Sequence, residues 1–190
     1  MDELLIRPAE PAGDAAGCAE IYASYVLESA TSFEEIAPDE NEMADRISRI
    51  SATHPWLIAE RGGELLGYAY ACRHRERPAY RWSVDVSVYV DARQQRQGVG
   101  HLLYEDLFGH LRRQGFRMAC AGITLPNVAS VALHERLGFA PIGVYRRIGW
   151  KADGWRDVGW WQLDLGGEDS EPPAEPLADG SPRLPLADER

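Results

Sequence analysis

The sequence predicts an α/β (α+β) fold, and three observations carry that expectation. Stretches rich in β-branched residues, clearest where Val84, Val86, Val88 and Val90 alternate with smaller or polar residues, have the two-residue period of a strand. Other stretches, such as Leu102, Leu103, Leu107 and Leu111, have helical spacing. Hairpin signals, Gly62-Gly63 and Asp153-Gly154, join some of the strands directly, while helices separate others, and no segment is repeated along the chain.

Taken in order, Leu4 to Arg7 reads as a short first strand. Asp14 is placed to cap a helix running to about Leu27, with Cys18, Ile21, Tyr22 and Tyr25 at helical spacing. A polar loop from Glu28 to Pro38 precedes a second helix, about Asp39 to Ser51, with the stripe Met43, Ile47 and Ile50. Trp56 to Glu60 and Glu64 to Cys72 form a hairpin across the two glycines. The run Arg73-His74-Arg75-Glu76-Arg77-Pro78 is basic for so acidic a chain; it fits either a solvated loop or a cationic rim for an anionic substrate.

The central stretch, Trp82 to Leu103, begins as a strand through Val90 and breaks at the polar turn Asp91 to Gln97. It then opens through Gly98-Val99-Gly100 into a helix to about Gln114, which Gly115 ends. A strand, turn and helix in this order bare N–H groups at a helix N-terminus, where the helix dipole favours anions. The pattern Gln95-x-x-Gly98-x-Gly100 suits a phosphate-bearing ligand, although glycines kept for close packing would look the same. No third glycine at dinucleotide-binding spacing and no Gly-Lys-Ser/Thr follows. Arg93 and Arg96 flank the turn as local cations.

Phe116 to Ile123 reads as a further strand, and Asn127 as the N-cap of a helix closed by Gly138. At helical pitch Asn127, Ser130 and His134 share an arc of about 60°. Phe139 to Ile148 and Trp155 to Leu165 make a final hairpin. The expected organisation is one domain over residues 1–165 and a disordered, acidic, proline-rich tail over 166–190.

Composition narrows the function classes. The formal charge of −10 argues against nucleic acid, and half of it belongs to the tail, whose seven acids and two arginines leave −5 for the rest. No apolar run approaches the roughly 20 residues of a membrane span. The acidic N-terminus MDELLIRPAEP is unlike a signal peptide, so a cytoplasmic protein is expected. Cys18, Cys72 and Cys120 sit singly in apolar patterns, as reduced core residues rather than disulfides or metal ligands, and no metal is assigned. Asp85 is the one acid in an apolar strand; it is either a desolvated base or a residue on the wet face with Ser83 and Ser87.

The glycine turn after Val88-Tyr89-Val90 resembles the acyl-CoA signature of the GNAT superfamily of N-acetyltransferases. The segments RPAYRWSVDVSVYV (77–90), GITLPNVASVALHERLGF (122–139) and GWKADGWRDVGWWQLDL (149–165) resemble its phosphinothricin N-acetyltransferase branch. Tyr22, Tyr25, Phe33 and Pro55-Trp56-Leu57 fit the same branch. The likeness spans about Leu4 to Leu165. It implies a mixed, mostly antiparallel sheet with helices on both faces. It also implies acetyl-CoA as co-substrate, a small amino acid-like acceptor such as phosphinothricin or methionine sulfone, and a homodimer.

By resemblance, Val88, Tyr89, Val90, Gln95, Arg96, Gln97, Gly98, Val99, Gly100, Asn127 and Ser130 contact the cofactor. The backbone near Val88 and Val90 binds pantetheine and polarises the thioester. Asp85 becomes the catalytic base, although similar enzymes usually carry Glu there. His134 is a general acid or a substrate-orienting group, with Tyr104 as the alternative acid. Phe33, Arg77 and Tyr80, together with Lys151 and Trp155, fall on the acceptor side, whereas Trp160 and Trp161 read as core or dimer packing. Cys120 lacks an activating neighbour in its strand and is set aside as a nucleophile. Acetyl transfer to another amine, or a silent acyl-CoA-binding module, would use the same turn.

Overall fold

The computed structural model describes residues 3–166 and 173–177. Among these, seven strands form one sheet: β1 Leu5–Pro8, β2 Trp56–Arg61, β3 Glu64–Arg73, β4 Ser83–Val90, β5 Met118–Leu125, β6 Ala140–Lys151 and β7 Gly154–Asp164. Their spatial order is β1-β2-β3-β4-β5-β7-β6, and only β4 and β5 run parallel. Helices α1 Pro11–Leu27 and α2 Glu40–Ser51 bury Cys18, Ile21, Met43 and Ile47 against Ile58 and Tyr68 on one face. Helix α3 Val99–Gln114 buries Val99, Leu103, Leu107 and Leu111 against Leu57, Ala69, Val84 and Val86 on the other. Helix α4 Val128–Arg136 lies beside this second core through Val131 and Leu133. This is the mixed, mostly antiparallel sheet with helices on both faces that the resemblance implies.

Several local choices follow directly from residue type. Gly62 and Gly63 both take left-handed φ (58° and 82°), the geometry of a tight two-residue hairpin loop. Asp39 caps α2 by accepting from the Glu42 N–H at 2.9 Å. Gly98 and Gly115, at φ 84° and 96°, bound α3 where the sequence places its ends.

Other boundaries differ from expectation. Helix α1 begins at Pro11, a residue suited to a first turn, and Asp14 instead reaches back to accept from the Glu10 N–H at 2.7 Å while Arg7 grips it. Strand β5 starts at Met118, not Phe116, because the Phe116 N–H closes α3 on the Leu111 carbonyl. The last hairpin turns on Ala152 and Asp153, both at left-handed φ, since Lys151 already pairs with Gly154.

The feature that positions the site is a fork in the sheet. Strands β4 and β5 pair only where Ser83, Val84 and Asp85 meet Met118, Ala119 and Cys120. Beyond that point β4 runs on to Val90 and β5 to Leu125 without pairing to each other. Of the tail expected to be disordered, residues 173–177 pack on the domain instead. Trp82 Nε1 donates to the Ala174 carbonyl at 2.9 Å, the Leu177 N–H bonds the Gln114 carbonyl at 2.8 Å, and Glu175 pairs with Arg81. The remaining tail expectation lies outside the described residues. Cys18, Cys72 and Cys120 are free thiols, and no described helix is long and apolar enough to cross a membrane.

Candidate active site

The turn between β4 and α3 is built from residues in unusual backbone conformations. Arg96 has φ 62° and Gly98 φ 84°, so the chain reverses and delivers its following N–H groups to one side. Among the described residues, the N–H groups of Arg96, Gln97, Gly98, Val99 and Gly100 meet no protein acceptor. A Cβ on Gly98 would touch nothing within 4 Å, which leaves that side open to a ligand. Gly100 behaves otherwise. Its Cβ would meet Leu133 at 3.4 Å and Val90 at 3.5 Å, ordinary contacts with the core, so this position faces packed side chains and has room for a methyl group. Gln95, Arg96 and Gln97 are exposed, whereas Arg93 is not the open cation expected: its guanidinium holds Asp91 at 2.8 Å and approaches Glu64 at 3.5 Å.

Inside the fork lies a cleft lined by Val86 to Tyr89, Gly122 to Thr124, Thr31, Tyr104, Asn127, Ser130 and His134. The two-residue repeat of β4 aims the N–H groups of Val88 and Val90 toward the side β5 has vacated. Val90 does not offer a free amide, because the Tyr25 hydroxyl accepts from its N–H at 3.2 Å and donates to its carbonyl at 2.7 Å. Tyr89 turns to the opposite face, packed edge-on against Tyr22 and Tyr25. Asn127 caps α4 by accepting from the Ser130 N–H at 3.1 Å.

His134 is buried, at 3% exposure, and its two nitrogens are both engaged. Nδ1 lies 2.7 Å from the Ser130 carbonyl, which can only accept, so Nδ1 carries the proton. Nε2 then accepts from the Tyr104 hydroxyl at 3.1 Å. Burial lowers the pKa of the ring, with the Ser130 carbonyl pulling the other way. His134 is therefore a neutral residue orienting Tyr104, and it holds no spare proton for the general-acid role. Tyr104, at 1% exposure and with its pKa raised by burial, keeps its proton and lines the cleft.

Asp85 sits at the closed end of the fork, paired across β3 with Cys72 and across β5 with Cys120. It shares a face with Ser87 as the alternation requires, but that face is partly covered. Burial raises its carboxyl above the usual value, partly offset by the hydrogen bond and charge of His74 and by Arg75. His74 Nδ1 lies 2.6 Å from Asp85 Oδ1. His74, Asp85 and Cys120 have potential ligand atoms within 4.8 Å of one another. The Nδ1–Oδ1 contact is nevertheless shorter than the roughly 3.3 Å edge of a zinc tetrahedron with bonds near 2.0–2.1 Å. A hydrogen-bonded dyad is what the geometry shows. The Cys120 thiol, pushed up to about 11 by burial, is a poor nucleophile.

Sequence reasoning does not single out His74, which reads as one member of the basic run; the β3–β4 pairing brings it to Asp85. Trp160, expected as core or dimer packing, stands at a steep angle to the His74 ring with centroids 6.1 Å apart and closes over Gly122, while Trp161 is core as expected.

The basic run divides: His74 turns inward, Arg75 stacks over Trp160 at 5.7 Å, and Arg73 pairs with Glu76. Arg77 is exposed and precedes a single 3₁₀ turn, Pro78–Tyr80, from which Tyr80 presents its ring edge to His74 at 5.8 Å. Phe33 lies across Gly149 of β6, and Lys151 donates to the Glu34 carbonyl. Trp155 is not brought near Asp85 by any contact; it packs on Trp150 and under Arg147.

Residues 18–139 match the model of the acetyltransferase (GNAT) family. The phosphinothricin N-acetyltransferase of Streptomyces viridochromogenes is 42% identical over 160 residues, covering 84% of this chain and 87% of its own. The L-methionine sulfoximine/L-methionine sulfone acetyltransferase of Salmonella typhimurium is 34% identical and covers 85% of this chain and 95% of its own. The crystal structure of a phosphinothricin acetyltransferase from Sinorhizobium meliloti in complex with acetyl-CoA superposes with a TM-score of 0.86 at 35% identity, covering 92% of this chain and 95% of that one. With the forked sheet, the bared turn and these relatives in agreement, the chain belongs to the acetyltransferase (GNAT) family.

Proposed function

We propose that the protein transfers the acetyl group of acetyl-CoA directly to the α-amino group of phosphinothricin or a similar small amino acid, of the methionine sulfone or sulfoximine kind. The observation that carries this reading is the row of unpartnered N–H groups from Arg96 to Gly100 at one end of the fork, with the Asp85 carboxylate at the other. The turn holds the diphosphate through these amides, with the exposed Arg96 and Gln97 beside it. The cleft, with Val88, Asn127 and Ser130 along its walls, takes the pantetheine. Acetyl-CoA supplies the activated acyl group.

An α-ammonium with a pKa of about 7.7–8 is mostly protonated at neutral pH, so the site must remove a proton before attack. The buried charge of Asp85 provides that basicity. The Val88 N–H, turned into the fork, stabilises the oxyanion, and the Tyr104 hydroxyl bonds the departing sulfur by swinging its single proton away from His134 Nε2. Arg77, Tyr80 and Phe33 line the acceptor's approach, and Arg77 offers a carboxylate a positive partner.

Two wider statements belong to this reading. The acetyl-CoA pool and three unbridged thiols suit a cytoplasmic setting. Strand β6 is an outer strand of the sheet and exposes Ile142, Val144, Tyr145, Ile148 and Trp150, which a second copy of the chain would cover to form a homodimer. The deciding experiment supplies acetyl-CoA with a panel of amines and measures free CoA thiol. Release with phosphinothricin or methionine sulfone is expected, and no release with any amine would reduce the protein to a silent acyl-CoA binder.

A further inference from the structure

The acetyl-transfer reading leaves open which atom accepts the ammonium proton, and the arrangement around His74 answers that question. The Asp85 carboxylate can only accept from the nitrogen 2.6 Å away, so Nδ1 of His74 bears the hydrogen. Nε2 is then left with a lone pair, and among the described residues no protein group bonds to it. The His74 side chain is 15% exposed, which makes it reachable from outside yet largely desolvated. Tyr80 and Trp160 present ring edges to it at 5.8 and 6.1 Å and fix its plane. Arg75, Cys72, Cys120 and Tyr80 are the other titratable groups around this pair, both thiols keep their protons because burial raises them, and among the described residues only Asp85 offers the pair a negative charge at neutral pH.

We infer that His74 is the proton acceptor for the incoming amine, with Asp85 behind it as the carboxylate that holds the ring and balances the imidazolium. The arrangement has the logic of a base oriented by a buried acid. The first ammonium N–H bond breaks toward Nε2, and its electron pair stays on nitrogen. That pair forms the new C–N bond at the thioester carbonyl. Collapse of the tetrahedral species breaks the C–S bond, whose pair leaves on sulfur. The second amine proton goes to that sulfur as the thiol, and Nε2 returns the first proton to solvent. The sum is an amide, free CoA and one released proton.

This inference rests on the acetyl-transfer reading, and the test separates the two. His74→Ala, His74→Asn and the wild type are compared for kcat/KM toward the amine across pH, with acetyl-CoA binding followed by calorimetry. Asparagine can keep an N–H directed at Asp85 but has nothing in place of Nε2. Both variants should bind acetyl-CoA as the wild type does and lose about 10²- to 10⁴-fold in kcat/KM near neutral pH. The deficit should shrink at alkaline pH, where the amine deprotonates by itself. Restoration of most activity by His74→Asn would make His74 a positioning residue only and overturn the inference, as would a wild-type rate in His74→Ala. A wild type that acetylates no amine would sink the acetyl-transfer reading, and this inference with it.

Discussion

Replacing Gly98 and Gly100 one at a time separates ligand binding from packing within a single turn. At Gly98 the backbone is left-handed, φ 84°, and a methyl group would meet nothing within 4 Å. The folded protein should therefore lose only the conformational cost of an L-residue there, about 1–2 kcal/mol. For a chain of this size that lowers Tm by about 2–4 °C per kcal/mol. The same methyl projects into the space a diphosphate must enter to reach the turn amides. Losing one charge-assisted hydrogen bond there is worth about 1.5–3 kcal/mol, a rise in KM for acetyl-CoA of about 10- to 150-fold.

Gly100→Ala should behave in the opposite way. Its methyl would touch Leu133 and Val90, away from the ligand, and alanine is favoured over glycine in a helix by up to about 1 kcal/mol. Stability should hold or rise, with acetyl-CoA binding close to wild type. Thermal melts and initial rates at varied acetyl-CoA read both quantities. If Gly98→Ala lowers Tm but leaves KM for acetyl-CoA untouched, the turn is merely a turn and the anion-binding argument fails.

Further outcomes follow from the site. Asp85→Asn should lower kcat/KM for the amine by about 10²- to 10⁴-fold while acetyl-CoA binding survives. Because burial raises this carboxyl in the fold above 3.8, the folded chain retains a proton the unfolded chain has lost; ionising Asp85 then costs stability as pH rises through that window. Asp85→Asn should accordingly gain more in Tm relative to wild type at about pH 7 than at about pH 3, and an equal difference at both would refute the burial argument. Tyr104→Phe leaves the buried His134 Nε2 without its donor, a loss of about 1–3 kcal/mol, and should lower kcat by about 10²-fold with KM for acetyl-CoA preserved. Gly149→Ala places a methyl against the exposed Phe33 ring; steady-state kinetics should show KM for the acceptor rising while KM for acetyl-CoA stays put.

How much of this was legible in the sequence depends on the range of the interaction involved. Helix α3 was readable to the residue because its ends are set locally, by Gly98 and Gly115. Asp85 was readable because one acid in an apolar strand breaks a short-range pattern. His74 was not, since it reaches Asp85 only through the antiparallel register of β3 and β4, which no local pattern encodes. The same holds for Tyr25, on α1, whose hydroxyl occupies the backbone of Val90 across 65 residues and removes an amide the sequence made available. Residues 173–177 look too polar and proline-rich to order themselves, and they pack here because Trp82 and Gln114 supply the partners.

The most direct measurement is a crystal structure of the protein with acetyl-CoA bound. The account predicts diphosphate oxygens at about 2.7–3.2 Å from N–H groups of residues 96–100, with the thioester lodged in the fork beside the Val88 amide. A cofactor bound elsewhere, or a turn whose amides have closed on the protein's own acceptors, would contradict it.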